Sequence, residues 1–316
     1  MPQPCKVTED IAVFKIYWIL TDFCNHHCYY CPSHLNTGNY ATGKKLGFPT
    51  DQEIKKFLDN LPTLIGNRKF QLAIGGGEPT LHPMLPTIIK RIKEISPDAN
   101  LSMVTNGTRS PNFWKSVLPL TSINMSLHPE YIELKDRILE NAKVIKESGT
   151  LIAFNLSLDP SRWEIVKDLY ETFSSEFPGV VLPKVLNYLG TINRRNYEYT
   201  AEQWIDIKKW TAENSQPRAN NVSTITTKLH FDDNTTQPYN LAKWTINGWN
   251  KYKGWECNSG YDGVNIKPNG EVTNSLCNIE KLGRIDSFKL KDKPLICPDE
   301  YCACPLDLFM TKSKLV

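Results

Sequence analysis

From residue 13 to residue 188, short apolar runs alternate with segments whose apolar positions recur at helical spacing. The runs at 13–20, 70–74, 99–104, 122–126, 151–158 and 180–186 are rich in Ile, Leu, Val or Phe, as strands buried on both faces are. Amphipathic segments lie between them, at about 84–95, 112–118, 130–148 and 162–173. A further one opens at Pro49-Thr50-Asp51-Gln52-Glu53, where Thr50 as N-cap and Glu53 three residues on form a capping box. Strands and helices in alternation with short joints predict an α/β fold with a parallel sheet and right-handed crossovers. Six such units make a partial (β/α)6 barrel rather than a closed eight-stranded one. After residue 190 the pattern changes. Residues 191–250 are polar and rich in Asn and Thr, with one helix predicted over 200–213. The stretch 214–240 reads as a long excursion, a candidate substrate-contacting insertion. Residues 263–273 read as a hairpin turning at Asn269-Gly270. No internal repeat is visible.

Composition narrows the function classes. The chain has 316 residues, 40% hydrophobic and 22% charged, which fits a globular protein and not a disordered one. Its net charge of +3 comes from 37 basic and 34 acidic side chains. The densest basic stretch, Lys289 to Lys293, is interrupted by Asp292, so no nucleic-acid track is expected. Neither a secretory signal nor an apolar run of membrane-spanning length appears, and a cytoplasmic location is expected. Nine cysteines are many for such a chain, because disulfides are rarely maintained there. Cys5 stands apart, three fall at Cys24, Cys28 and Cys31, and five fall between Cys257 and Cys304. An odd number in two tight groups points to metal ligation.

The segment Thr21-Asp-Phe-Cys24-Asn-His-His-Cys28-Tyr-Tyr-Cys31-Pro32 follows the first barrel strand at its C-terminal end, where parallel α/β folds carry their chemistry. Three thiolates on one loop suit a four-iron cluster with one iron left open. Zinc is the alternative, with His26 or His27 supplying a fourth ligand; otherwise these histidines read as surface residues flanking the cluster. The strand over 70–74 runs into Gly75-Gly76-Gly77-Glu78-Pro79, where consecutive glycines admit a close backbone approach. Glu78 among the amides disfavours a phosphate and would suit an ammonium. A plain strand-to-helix turn is the alternative reading of that segment.

The C-x3-C-x2-C spacing, with an aromatic just before the last cysteine, resembles the signature of the radical S-adenosylmethionine (SAM) superfamily. The resemblance covers about residues 13–190. It implies a [4Fe-4S] cluster on Cys24, Cys28 and Cys31, whose open iron chelates SAM, and reductive cleavage of SAM to a 5′-deoxyadenosyl radical. It places Tyr30 beside the adenine and makes Gly76, Gly77 and Glu78 the counterpart of the family's GGE motif, which hydrogen-bonds the SAM amino group. Thr105 and Asn106, in Thr105-Asn106-Gly107, resemble the polar end of the next strand. Ser126 and His128, then Asn155 and Ser157, fall where family members contact the ribose or the SAM carboxylate. Taken singly, each of these reads equally well as a cap or a core hydrogen-bonder; their order at successive strand ends carries the argument.

Cys257 is followed by twelve residues, Gly270, six residues and Cys277, then by Cys297, Cys302 and Cys304. A cysteine, a glycine-turn hairpin and a second cysteine resemble the twitch or SPASM extension of radical SAM enzymes. The glycine-to-cysteine gap is longer than the usual pattern, and five cysteines are too few for two SPASM clusters. One auxiliary [4Fe-4S] cluster on four of the five is therefore expected, with a structural zinc site as the alternative. The organisation expected is a core over 1–190, a linker or insertion over 191–250 and a small cysteine-rich hairpin domain over 251–316.

The substrate is less legible. The cluster cysteines begin at residue 24, leaving no room before them for a leader-peptide-binding domain. The expectation is therefore a small polar molecule or a short peptide docking without one. Dehydrogenation or epimerisation is expected, with peptide cross-linking as an alternative. A methyltransferase is disfavoured, since no cobalamin-binding domain is seen. An external donor such as flavodoxin or ferredoxin would supply electrons. A non-catalytic, metal-stabilised binding protein is the alternative of another class; it accounts for the cysteines but not for the GGGEP turn. Cys5 and one C-terminal cysteine would be spare, either inert or hydrogen-atom donors.

Overall fold

The computed structural model describes residues 2–31, 49–186, 197–214, 227–238, 244, 247–302, 308 and 310–315. In chain order the strands are β1 (Pro4–Glu9), β2 (Val13–Thr21), β3 (Lys69–Gly76), β4 (Asn100–Thr105), β5 (Ser122–Leu127), β6 (Leu151–Leu158) and β7 (Val181–Val185). They continue with β8 (Thr227–Phe231), β9 (Thr236–Pro238), β10 (Glu256–Cys257), β11 (Gly263–Ile266), β12 (Glu271–Thr273), β13 (Lys281–Arg284), β14 (Leu295–Ile296) and β15 (Lys312–Ser313). The helices are α1 (Asp51–Ile65), α2 (Leu85–Ile95), α3 (Pro111–Val117), α4 (Lys135–Glu147), α5 (Trp163–Glu176) and α6 (Ala201–Glu213).

Strands β2 to β7 pair in sequence order, all parallel, and each is followed by one of the six helices. The sheet does not close: on its open side β2 bonds β11, so the barrel is partial. The expected six β/α units are thus present, with strand ends within about two residues of those read from the apolar runs, while α4 begins only at Lys135 and α5 runs on to Glu176. The capping box at Thr50 is formed in both directions: Glu53 N donates to Thr50 Oγ1 at 3.2 Å and Thr50 N donates to Glu53 Oε2 at 2.7 Å.

Alternation along each strand sorts the sheet into two faces. The outer positions Phe14, Ile16, Trp18, Leu72, Ile74, Met103, Ile123, Met125, Phe154 and Leu156 are buried in one core with the helices. Helix α2 meets that core with Leu85, Ile88, Ile89 and Ile92, one stripe at helical spacing. The inner positions are mixed: Gln71, Ala73, Ser102, Asn124, Ser126, Asn155, Ser157 and Lys184 are polar or small, and Tyr17, Ile19, Val104 and Leu182 share that face.

Strands β1, β8 and β9 were not expected from the sequence. Strand β1 and the β8–β9 hairpin, which lies inside the 214–240 excursion, belong to a second sheet ordered β14-β10-β15-β1-β8-β9. Lys6 of β1 pairs with His230 of β8, more than two hundred residues away. All three are short and polar or mixed in character, so nothing local marks them. The hairpin of β11 and β12 forms as expected, with Gly270 at φ +77° in its turn. It extends the barrel sheet through the parallel β11–β2 pair, so strands of the C-terminal segment occur in both sheets. Among the described residues, no helix is long and apolar enough to cross a membrane.

Candidate functional site

Strand β2 ends at Thr21, and the loop after it carries Cys24, Cys28 and Cys31 at the C-terminal edge of the parallel sheet. The glycine turn after β3 braces this loop from beside it. Gly77 N donates to Thr21 O at 2.8 Å and Glu78 N donates to Phe23 O at 2.7 Å. A Cβ on Gly76 would stand 2.2 Å from the Thr21 carbonyl oxygen, and one on Gly77 would stand 2.2 Å from that of Phe23. The close approach these glycines permit is therefore made by the cysteine loop's own backbone.

Glu78 is 1% exposed, and its carboxylate joins two strand ends. Oε1 accepts from Thr80 N (3.1 Å), Thr80 Oγ1 (2.6 Å) and Thr105 Oγ1 (2.7 Å), and Oε2 accepts from Asn106 N (2.6 Å). Burial raises its pKa, against the pull of those four donors. Glu78 thus acts as a latch between the GGGEP turn and the Thr105-Asn106-Gly107 end of β4, a role its motif did not reveal. Asn106 carries the tie onward: its Nδ2 donates to Asn25 Oδ1 at 2.8 Å and stands 4.0 Å from Cys24 Sγ.

The remaining strand ends converge on Tyr30. Its hydroxyl lies 2.7 Å from His128 Nδ1, and Ser157 reaches the same hydroxyl. Burial raises the Tyr30 pKa and lowers that of His128 to about 3, so a neutral imidazole faces a protonated phenol. Ser126 and Asn155 are register partners on β5 and β6, half-buried on the inner face. Unless one of them is a zinc ligand, the sequence predicts both His26 and His27 on the surface. His27 is exposed, but His26 is 3% exposed, stacked on Tyr131 at 3.8 Å and set edge-on to His128. Burial holds His26 neutral, with its pKa down to about 4. Among the described residues, neither of its ring nitrogens has a hydrogen-bond partner. Ligand atoms of His26, Cys28 and His128 lie within 4.8 Å of one another.

The thiols suit an iron–sulfur cluster by their chemistry. Burial pushes Cys24 up to about 11 and raises Cys28 and Cys31; the charge of Cys31 adds to the rise at Cys24 and that of Cys24 to the rise at Cys28, while the Lys184 charge opposes the rise at Cys31. Three half-buried or buried groups that resist ionising together call for a cationic centre to hold them as thiolates. Among the described C-terminal cysteines, Cys257, Cys277 and Cys297 lie near enough to act on one another. Cys257 lies on β10 and Cys297 follows β14, its paired neighbour. The Cys297 thiol is raised first by burial and then by the charges of Cys257 and Cys277. Cys302 and Cys257 both act on the buried Tyr252. Cys304 lies outside the described residues. Cys5 sits on β1 with its thiol 3.5 Å from the His230 carbonyl oxygen, within the second sheet.

With this geometry in place, likenesses to known proteins become interpretable. The GTP 3′,8-cyclase of Microcystis aeruginosa is 33% identical over 124 residues, which are 39% of this chain and 36% of that protein. The probable GTP 3′,8-cyclase of Thermococcus kodakarensis is 35% identical over 121 residues, 38% of this chain and 36% of that one. The chain thus spans little more than a third of the length of these relatives. Among solved structures, anSMEcpe with bound AdoMet superposes with a TM-score of 0.56 at 14% identity, covering 87% of this chain and 79% of that one. Streptococcus suis SuiB bound to S-adenosylmethionine gives 0.56 at 13% identity, covering 87% and 64%. At these identities the two structures speak for the fold alone. The pattern of the Radical SAM superfamily matches residues 18–233, from the middle of β2 through β8, and the chain belongs to that superfamily.

Proposed function

We propose that this radical SAM enzyme abstracts a hydrogen atom from a small polar molecule or short peptide in the barrel lumen, leading to dehydrogenation or epimerisation. The observation that carries the reading is the inner face of the sheet. It presents Ser102, Asn124, Ser126, Asn155 and Ser157 on three adjacent strands, a neutral hydrogen-bonding wall leading to the cysteine loop. Lys184 on β7 stands exposed on that face and its charge reaches Cys31, so it offers a handle for one carboxylate or phosphate. Cys24, Cys28 and Cys31 would hold the cluster that, with SAM bound, supplies the 5′-deoxyadenosyl radical. Tyr30, held by His128 and Ser157, would flank the adenine. Gly76, Gly77 and Glu78 would keep the cysteine loop in register with the ends of β3 and β4. Four of Cys257, Cys277, Cys297, Cys302 and Cys304 would hold an auxiliary cluster. A soluble donor of the flavodoxin or ferredoxin kind would supply electrons in the cytoplasm.

Relatives named GTP 3′,8-cyclase raise a nucleotide as a second substrate class. A triphosphate would call for several cations around it. Two further lysines on the inner face are already paired: Lys15 with Glu9, and Lys69, at the far end of β3, with Asp98. The non-catalytic metal-site reading draws on one observation, the His26–Cys28–His128 trio, which suits zinc.

Turnover in deuterated water separates the outcomes. A product lighter by two hydrogens is expected for dehydrogenation, and one carbon-bound deuterium at unchanged connectivity for epimerisation. A ring closed within a nucleotide, or zinc in place of iron in protein isolated without oxygen, would defeat the proposal.

A further inference from the structure

The loop between Cys24 and Cys28 buries an imidazole. Nδ1 and Nε2 of His26 are both sealed from solvent, and neither has a hydrogen-bond partner. Neutral or protonated, an imidazole carries at least one N–H. An unmade bond of that kind in the interior is costly, so a buried orphan calls for a partner that fills the site. The ring is not free to swing away. It stacks on Tyr131 at 3.8 Å with the planes 8° apart, and it meets His128 edge to face at 5.5 Å. Tyr131 is itself tied to the loop, its hydroxyl accepting from His27 N at 2.5 Å. Nδ1 of His128 is already engaged by the Tyr30 hydroxyl.

Beside the ring lies sulfur. A ring nitrogen of His26 stands within 4.8 Å of Cys28 Sγ. The backbone N of the same residue donates to Cys24 Sγ at 3.3 Å, so His26 borders two of the three cluster sulfurs. At Cys28 the Tyr30 hydroxyl also approaches, while the Glu130 carboxylate puts negative charge near the same sulfur. Iron-bound thiolates accept hydrogen bonds, and each such bond stabilises the extra negative charge of a reduced cluster. A buried donor does so more strongly than one in water.

We propose that His26 is a positioning residue that donates a ring N–H to the Cys28 sulfur and thereby raises the reduction potential of the cluster on Cys24, Cys28 and Cys31. The inference rests on that cluster being present. It concerns the one-electron reduction that precedes SAM cleavage, with the electron coming from the external donor. Tyr131 holds the ring against the sulfur, and His26 does not ligate iron.

The test uses the full chain, reconstituted without oxygen and kept free of SAM, with His26→Phe and His26→Gln beside it. Phe keeps a ring to stack on Tyr131 but has no N–H, whereas Gln keeps a side-chain N–H. Iron and zinc are counted in each, and the cluster is titrated by potentiometry monitored with electron paramagnetic resonance. Its signal is recognised by the change when SAM is added afterwards. The Phe variant should keep the full iron content and shift the reduction equilibrium at least threefold towards the oxidised cluster, about 28 mV or more downward for one electron. The Gln variant should lie nearer the unaltered protein. Pulsed resonance of the unaltered protein, with its histidine rings labelled with nitrogen-15, should show a weakly coupled nitrogen that both variants lack. A shift of less than threefold in the Phe variant, or an equal shift in the Gln variant, would overturn the role. A strongly coupled ring nitrogen would overturn it too, by making His26 a ligand to iron. Should the Phe variant lose its cluster, the nitrogen signal decides: it must be present in the unaltered protein and absent from the Gln variant. Zinc in place of iron in the unaltered protein would remove the cluster itself, and the metal count alone shows that failure.

Discussion

Adding a single methyl group at Gly77 is expected to empty the SAM-binding cluster. The Cβ of Gly77→Ala would lie 2.2 Å from the carbonyl oxygen of Phe23 and 2.6 Å from its carbonyl carbon. Both are backbone atoms, so no rotamer change relieves the contact. The next residue is held to the same carbonyl by the 2.7 Å Glu78 hydrogen bond, and Cys24 follows Phe23 directly. The loop must move, and a cluster held at three points on one loop tolerates little movement. Overpacking of this kind costs about 1–3 kcal/mol, a modest fraction of a domain's stability, so the chain should still fold. Iron analysis should show about four irons lost, with SAM cleavage falling to background. A variant with full iron and normal cleavage would show that the loop has slack and that the brace is not needed.

The second large effect belongs to the other cysteine group. Replacing Cys257 and Cys277 together by Ala should remove about four irons and leave the remaining ones in place. The two residues come from different sheets: Cys257 is on β10, whereas Cys277 follows β12 of the hairpin that extends the barrel. A cluster joining them would be a cross-link between sheets, so its loss should also lower the melting temperature. SAM cleavage should survive, because Cys24, Cys28 and Cys31 lie on a separate loop. If the reaction is a dehydrogenation, product should not form, since the substrate radical would have lost its electron acceptor. Full iron content in this double variant would rule out the auxiliary cluster.

Much of the barrel was legible in the chain because its strands and helices declare themselves locally. Val13–Thr21 and Leu151–Leu158 are nearly unbroken apolar runs, and Thr50 with Glu53 marks a helix start. What could not be read depends on partners far along the chain. Pro4–Glu9 becomes a strand through β15 and β8, each more than two hundred residues away. His26 looks like a polar loop residue until the fold lays Tyr131 and His128 against it. The GGGEP motif pointed to the right place, but its glycines meet Thr21 and Phe23 and its glutamate meets Thr105 and Asn106.

The central claim is that the loop bearing Cys24, Cys28 and Cys31 cleaves SAM under reduction. The direct measurement is to incubate the reconstituted, dithionite-reduced protein with SAM without oxygen and to quantify 5′-deoxyadenosine and methionine by mass spectrometry, beside a variant with all three cysteines replaced by Ala. The account predicts both products in equal amounts from the unaltered protein and neither from the variant, which should also hold about four fewer irons. Equal cleavage by the two proteins, or none by an unaltered protein carrying its full iron, would contradict it.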